Sequence, residues 1–257
     1  MTPTGSKKSP GPGDANAPQP AQRDRLFSVD QPHLVDFAFS KEVVAVFPDM
    51  IRRSVPGYET VLPIAALLAT QHLPAGGLLY DLGCSQGAST AAVLHLLGNQ
   101  HSRIVAIDNA KDMLDSATSL ITDPRVEFLC KNVEDVEFEP CNVVLLNYIL
   151  QFLQPDQRLH LLMRLRSALA PDGCVILSEK IHLDDTDTDR WFNEVHLAFK
   201  RANGYSEMEV ARKRSALENV MIIDSEAQHR QRLQEAGFSR INKWFQCLNW
   251  ASFIIQP

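Results

Sequence analysis

Leu78-Leu79-Tyr80-Asp81-Leu82-Gly83-Cys84-Ser85-Gln86-Gly87 is the stretch that decides the fold. Leu78 to Leu82 is a short apolar run of strand type, and Gly83 to Gly87 is a turn poor in side chains. The pattern from Ala88 onward is helical. A glycine turn between strand and helix lets the backbone approach a ligand closely and aims helix N–H groups at it. Further on, Ile104-Val105-Ala106-Ile107-Asp108 reads as a second strand ending in a carboxylate, a group able to accept two hydrogen bonds from a ribose diol. The two segments together predict a site for an adenosine-like ligand.

The spacing also discriminates between ligands. A dinucleotide site of the G-x-G-x-x-G kind carries glycine where Ser85 stands, so a pyrophosphate can sit against the backbone. Here the pattern is Gly-x-x-x-Gly preceded by Asp81. A carboxylate just before the turn repels pyrophosphate and suits an ammonium group. S-adenosyl-L-methionine, with ribose and ammonium and no phosphate, is therefore the expected cofactor, and an NAD-dependent dehydrogenase is disfavoured. A bare strand–turn–helix junction is the alternative that Asp81 and Asp108 together weigh against.

A chain of 257 residues suits one α/β domain with an appendage. The net charge of −6 argues against a surface that holds nucleic acid by its phosphates. Cysteines 84, 130, 141, 174 and 247 are scattered without metal-ligand spacing, so no metal is expected. Cys84, Cys130, Cys141 and Cys174 lie in or beside apolar runs and read as small buried hydrophobes in a reducing compartment. The longest apolar stretch, Val61 to Ala69, is too short to span a bilayer and contains Pro63. With no signal-like start, the expectation is a cytoplasmic protein without membrane contact.

Residues 1–24 are rich in Pro, Gly, Ala and Gln and are expected to be a disordered tail, leaving 25–257 as the cofactor-binding domain. Leu34 to His72 is helical in pattern, with breaks expected at Phe47-Pro48 and at Val55-Pro56-Gly57-Tyr58. Strands are expected at 78–82, 103–108, 126–130, 142–147 and 174–179. Helices are expected at 88–98, 110–120 and 156–170, the last closed by Pro171-Asp172-Gly173. This alternation predicts a parallel sheet covered on both faces. A helix over 225–236, with a Ser225/Gln228 capping box and Gly237 behind it, precedes an antiparallel hairpin of 243–247 and 250–255. Sheets of this type bind ligands at the carboxyl ends of their strands, where Gly83, Asp108, Asn132 and Asn147 all fall.

A helical insertion occupies about 181–223. Arg190 to Ala202 is amphipathic in pattern, with Trp191, Val195, Ala198 and Phe199 on one face. Ser206-Glu207-Met208-Glu209 is a capping box for a following helix. On that helix Val210, Arg214, Leu217 and Met221 share a stripe. A guanidinium there suits an anionic ligand, a glutamate partner, or a stem that snorkels to water.

Longer motifs add a family resemblance. Phe199-Lys200-Arg201-Ala202-Asn203-Gly204-Tyr205-Ser206-Glu207 and Lys213-Arg214-Ser215-Ala216-Leu217-Glu218-Asn219-Val220 resemble the carboxy-S-adenosyl-L-methionine synthase family. So do Val46-Phe47-Pro48-Asp49-Met50-Ile51, Ser54-Val55-Pro56-Gly57-Tyr58, Leu177-Ser178-Glu179-Lys180 and Trp244-Phe245-Gln246-Cys247. The resemblance runs from about residue 24 to the C-terminus. It implies a Rossmann-like class I methyltransferase fold, with a mostly parallel seven-stranded sheet, in an enzyme that does not methylate. Prephenate would give a carboxyl group to the methyl carbon of S-adenosyl-L-methionine, yielding carboxy-S-adenosyl-L-methionine and phenylpyruvate. The product would serve a separate enzyme that modifies wobble uridine in tRNA, so this chain itself need not bind nucleic acid.

Carried over by position, the resemblance implies that Tyr58, Gly83, Cys84, Ser85, Asp108, Asn109, Asn132, Val133 and Asn147 line the cofactor. Arg214 would hold the new carboxylate and act as the catalytic anion-binding group. A homodimer is also implied. The Pro-rich tail is extra to the family pattern, and Asn132 stands where the family more often has an acidic residue. An amide oxygen there can still accept from the adenine amino group. Rival readings divide at Arg214: an ordinary methyltransferase acting on a small molecule or RNA gives it no anion, and a non-catalytic cofactor-binding subunit does not need it.

Overall fold

The computed structural model describes residues 22–26, 41–218 and 220–257, with the side chains of 213–219 excepted. Two helices, α1 (Lys41–Ser54) and α2 (Tyr58–His72), precede the first strand. The chain then runs β1 (Leu78–Leu82), α3 (Ala88–Leu97), β2 (Arg103–Asp108), α4 (Lys111–Leu120), β3 (Val126–Cys130), β4 (Cys141–Asn147), α5 (Pro155–Ala168) and β5 (Leu169–His182). The insertion supplies α6 (Thr186–Ala202) and α7 (Glu207–Glu218). A short β6 (Asp224–Ser225), α8 (Glu226–Glu235) and the hairpin β7 (Arg240–Cys247) and β8 (Trp250–Gln256) complete the chain.

The strands order as β3-β2-β1-β4-β5-β8-β7, with β6 beside β5. The first five strands are parallel, and β8 joins β5 and β7 antiparallel. Every residue of β1 is buried, as a central strand covered on both faces requires. Two apolar layers result. Leu82, Ile107, Leu146, Leu177 and Phe253 pack on one side of the sheet, and Leu79, Ile104, Leu145 and Ile176 pack with Ala65 and Ala69 of α2 on the other. Strand order reverses between β1 and β4, which opens a crevice at their carboxyl ends.

The expected strands are present, with informative differences. β5 starts at Leu169, because Leu169 pairs with Cys141 across a register shift; Pro171-Asp172-Gly173 therefore lies inside a strand rather than in a helix stop. Pro48 does not break α1. The helix continues through it, and the carbonyl it leaves open is taken by a side chain of the glycine turn. The break at residues 55–57 is real, with Gly57 in a left-handed conformation (φ 80°) ahead of α2. Cys84, Cys141 and Cys174 are buried, but Cys130 is exposed because it ends the edge strand β3.

The last residue of the expected tail, Asp24, falls among the described residues. Residues 1–21 lie outside the described residues, but Asp24 is buried and fastened. Its N–H donates to Asp49 (2.8 Å), and its carboxylate accepts from the Tyr205 hydroxyl (2.6 Å). Arg53 donates to Asp49 and to the Asn203 carbonyl and stacks on the Tyr205 ring at 3.9 Å. This knot ties α1 to the link between α6 and α7 and so fixes the insertion over the crevice.

The apolar face expected on α6 is realised only in part: Val195 and Phe199 are half-buried. Trp191 is 60% exposed and Ala198 is exposed, while His196 and Lys200 are buried. The helix roofs the cavity, with His196 and Lys200 among the residues that line it. Met221, expected on the stripe of Arg214, lies beyond the end of α7. The side chain of Arg214 lies outside the described residues.

Candidate active site

A cavity of about 1500 Å³ opens at the carboxyl ends of β1, β2, β4 and β5, between the sheet, α1 and α6. Tyr58, Gly83, Cys84, Ser85, Asp108, Asn109, Asn132, Val133 and Asn147 all line it. The structure thus brings nine of the ten expected site residues together; Arg214 is the tenth.

The floor is the glycine turn. Gly83 (φ 66°), Ser85 (φ 51°) and Gly87 (φ 79°) take left-handed conformations, so the turn is tight and its backbone faces the cavity. Ser85 tolerates this because its N–H donates to Asp108 Oδ2 at 2.8 Å. Asp108 Oδ1 accepts from the Ala110 N–H, also at 2.8 Å. One carboxylate therefore braces both the turn and the start of α4, and each oxygen retains a lone pair for a ribose hydroxyl. Burial raises the Asp108 carboxyl, and the backbone N–H bonds oppose that rise.

Asp81 works from behind the turn. It is buried, accepts from the Thr90 hydroxyl at 2.7 Å, and is not among the lining residues. Its field reaches Tyr58, whose hydroxyl is pushed up to about 12 by burial first and by that charge second.

Asn109 donates to Asn132 Oδ1 (3.1 Å), and Asn132 donates in turn to Asp135 (3.1 Å). The amide oxygen expected to meet adenine is thus oriented by Asn109, with one lone pair left over. Asn147 donates to the Ser89 hydroxyl (3.2 Å), while its Oδ1 is buried without a partner. An orphaned acceptor at the end of β4, lining the cavity, fits an ammonium group. Cys84 is buried beside Asp81 and Asp108, and burial drives its thiol far above the ordinary range, so it contacts ligand as a neutral group.

The sequence reading passed over several residues. Tyr148 has φ 66°, and its ring lies 5.5 Å from that of Trp250 and 6.3 Å from that of Tyr58. Its strained backbone is secured by its N–H to the Ser178 carbonyl (2.6 Å). Glu179, fully buried, accepts from the consecutive N–H groups of Ile149 (2.9 Å), Leu150 (2.7 Å) and Gln151 (3.3 Å). It fixes the turn that carries Tyr148 and Ile149 over Gly83. The only advance signal was its place in the Ser178-Glu179-Lys180 motif.

A family profile described as a methyltransferase domain matches residues 79–173. A protein of Pseudomonas aeruginosa (strain UCBPP-PA14) named carboxy-S-adenosyl-L-methionine synthase is 44% identical over 245 residues, 92% of this chain and 100% of that protein. One of the same name from Pseudomonas fluorescens (strain SBW25) is 46% identical over 242 residues, 91% of this chain and 98% of that protein. Among solved structures, a putative O-methyltransferase from Nostoc punctiforme aligns with TM-score 0.60 at 18% identity, over 84% of this chain and 59% of that one. Human N-acetylserotonin methyltransferase, in complex with SAM, aligns with TM-score 0.59 at 15% identity, over 92% of this chain and 63% of that one. Those two likenesses show the class I methyltransferase fold.

Proposed function

The chain belongs to the carboxy-S-adenosyl-L-methionine synthase family, and we propose that it carboxylates S-adenosyl-L-methionine with prephenate as donor. The observation that carries the proposal is the convergence of Tyr58, Gly83, Ser85, Asp108, Asn109 and Asn147 on one cavity, in a chain of this family.

In this reading Asp108 holds the ribose and Asn147 Oδ1 accepts from the ammonium, while Asn109 and Asn132 meet the adenine edge. The sulfonium acidifies its methyl group. Decarboxylation with aromatisation of prephenate releases carbon dioxide and the ring hydroxyl as hydroxide. Hydroxide and one methyl proton give water, and the resulting ylide carbon bonds to carbon dioxide, leaving phenylpyruvate. This balance needs no side-chain base. The chain's tasks are to hold two ligands in contact, exclude water and stabilise an anionic product. Tyr148 and Trp250 supply apolar cover. Arg214, by resemblance, pairs with the new carboxylate, a bidentate role suited to guanidinium.

We also infer a homodimer working in the cytoplasm. The exposed Trp191 and Met208 on the insertion support an interface there. Among the described residues no helix is long and apolar enough to cross a membrane.

Incubation with S-adenosyl-L-methionine and prephenate tests the reading. Phenylpyruvate formed together with a cofactor one carboxyl group heavier supports it. Only S-adenosylhomocysteine, formed with a methyl acceptor, would replace it with a methyltransferase.

A further inference from the structure

Among the described side chains of α7, the helix that carries Arg214, only Glu209 and Val210 are buried. Glu209 is engaged in the helix cap, where it accepts from the Ser206 N–H at 2.7 Å. Burial that sparse over the first turns leaves the helix to be placed by its ends. Both ends are fastened to the body of the chain, each by different chemistry.

At the start, the Tyr205 hydroxyl donates to Asp24 at 2.6 Å, and the Arg53 guanidinium lies 3.9 Å from the centre of the Tyr205 ring. Arg53 also donates to the Asn203 carbonyl at 2.7 Å, so the chain is gripped on both sides of Gly204, which turns it from α6 into α7 at φ 86°. At the exit stands Arg158, a fully buried guanidinium on α5. Its Nη2 donates to the carbonyls of Leu153 and Ile222, each at 2.8 Å, and its Nη1 donates to Asp224, which also accepts from Arg232 at 2.7 Å. The Ile222 N–H donates to the Gln151 carbonyl at 2.8 Å, so both backbone groups of Ile222 are held. Its neighbours Met221 and Ile223 line the cavity. Only a planar group with several donors can serve acceptors on three segments at once, which is why arginine stands at this point.

We propose that Tyr205 and Arg158 are positioning residues for Arg214: by anchoring the two ends of α7 they hold the helix where its arginine pairs with the carboxylate of the product cofactor. Neither residue touches the reacting atoms. They act through α7, as groups that fix a binding side chain in its productive geometry. The assignment rests on the proposed reaction, in which Arg214 meets the new carboxylate.

The test is calorimetry with S-adenosyl-L-methionine and with its carboxylated form on Tyr205→Phe and Arg158→Lys, each made alone and in an Arg214→Ala background. Tyr205→Phe removes the hydroxyl and leaves the ring under Arg53; Arg158→Lys keeps the charge and loses the fork. Each single variant is expected to bind the carboxylated cofactor roughly tenfold more weakly, with affinity for S-adenosyl-L-methionine within about twofold of wild type. In the Arg214→Ala background the same changes are expected to shift neither ligand by more than about twofold, because the arginine through which they act is gone. Should Arg158→Lys prove unfolded by urea denaturation, Tyr205→Phe decides alone. Equal losses for both ligands, or a loss that survives in the Arg214→Ala background, would reduce the anchors to general stability and overturn the proposal. Arg214→Ala that discriminates between the ligands while a folded Tyr205→Phe does not overturns the positioning role and leaves the reaction standing. Arg214→Ala that fails to discriminate overturns the role given to Arg214, and the positioning role with it.

Discussion

Gln86 donates its side-chain amide to the carbonyl of Val44 at 2.9 Å, the carbonyl that Pro48 leaves without a helical partner. Proline has no N–H to give the residue four positions earlier, so it opens one acceptor in the middle of α1. The glycine turn fills that acceptor from below. The helix that covers the cavity is thereby stitched to the turn that forms its floor, and the second amide hydrogen of Gln86 reaches Ser116 of α4 at 3.1 Å.

A double-mutant cycle checks this relationship. Gln86→Ala is expected to cost about 1–2 kcal/mol of stability and to weaken cofactor binding, because a part-buried carbonyl loses its donor. In a Pro48→Ala background the restored helical N–H serves Val44, so the same change is expected to cost about 1 kcal/mol less. Equal costs in the two backgrounds, read by urea denaturation, would show that the side chain and the proline act independently.

Asp108→Ala removes the brace on Ser85 and Ala110 together with the proposed ribose acceptor. Affinity for S-adenosyl-L-methionine and for its carboxylated form is expected to fall alike, by about 2–3 kcal/mol each, since the ribose is common to both. Calorimetry in which only one ligand weakens would remove Asp108 from the ribose.

Arg214→Ala makes the opposite split. Affinity for the carboxylated cofactor is expected to fall by about 2–4 kcal/mol, while that for S-adenosyl-L-methionine barely changes. Equal losses for both ligands would contradict the role given to the guanidinium.

Stability carries a pH signature. Burial raises the Asp81 carboxyl to about 7 and that of Glu179 to about 8, so the folded chain holds protons that the unfolded chain has released. Their contribution is full below about pH 4 and is lost as pH rises through 7 and 8. Burial acts in the other direction on His196 and His229, lowering them to about 3 and 4, so their contribution grows as pH rises to about 6.5. The two pairs oppose each other up to about pH 6.5, and only the carboxyls titrate above it. Stability is expected to decline by about 2 kcal/mol between pH 6.5 and 8, and Glu179→Gln is expected to remove most of that slope. A urea midpoint that climbs over this interval would refute the assignment.

The parallel core was legible because its signals are local. Apolar runs such as Ile104 to Ile107 and the turn residues Gly83 and Gly87 announce strand and bend within a few positions, and β1, β2 and β3 match their expected bounds. The convergence of Gly83, Asp108, Asn132 and Asn147 on the cavity was legible for the same reason, since these residues sit at or just beyond predictable strand ends. The far side of the cavity was not. Tyr148, His196, Lys200 and Trp250 come from four separate segments and meet only after α6 folds over β5 and β8. The face of α6 misled because Trp191 and Ala198 turn outward while His196 and Lys200 are buried, a choice that periodicity alone does not fix. Pro48 misled because the donor that compensates it lies in another element.

The central claim is transfer of a carboxyl group from prephenate to the cofactor's methyl carbon. Prephenate labelled with carbon-13 in its ring carboxyl, incubated with the protein and S-adenosyl-L-methionine, tests it most directly by mass spectrometry. The account predicts a carboxylated cofactor that carries the label, together with unlabelled phenylpyruvate. A carboxylated cofactor without the label, or S-adenosylhomocysteine as the only new species, would contradict it.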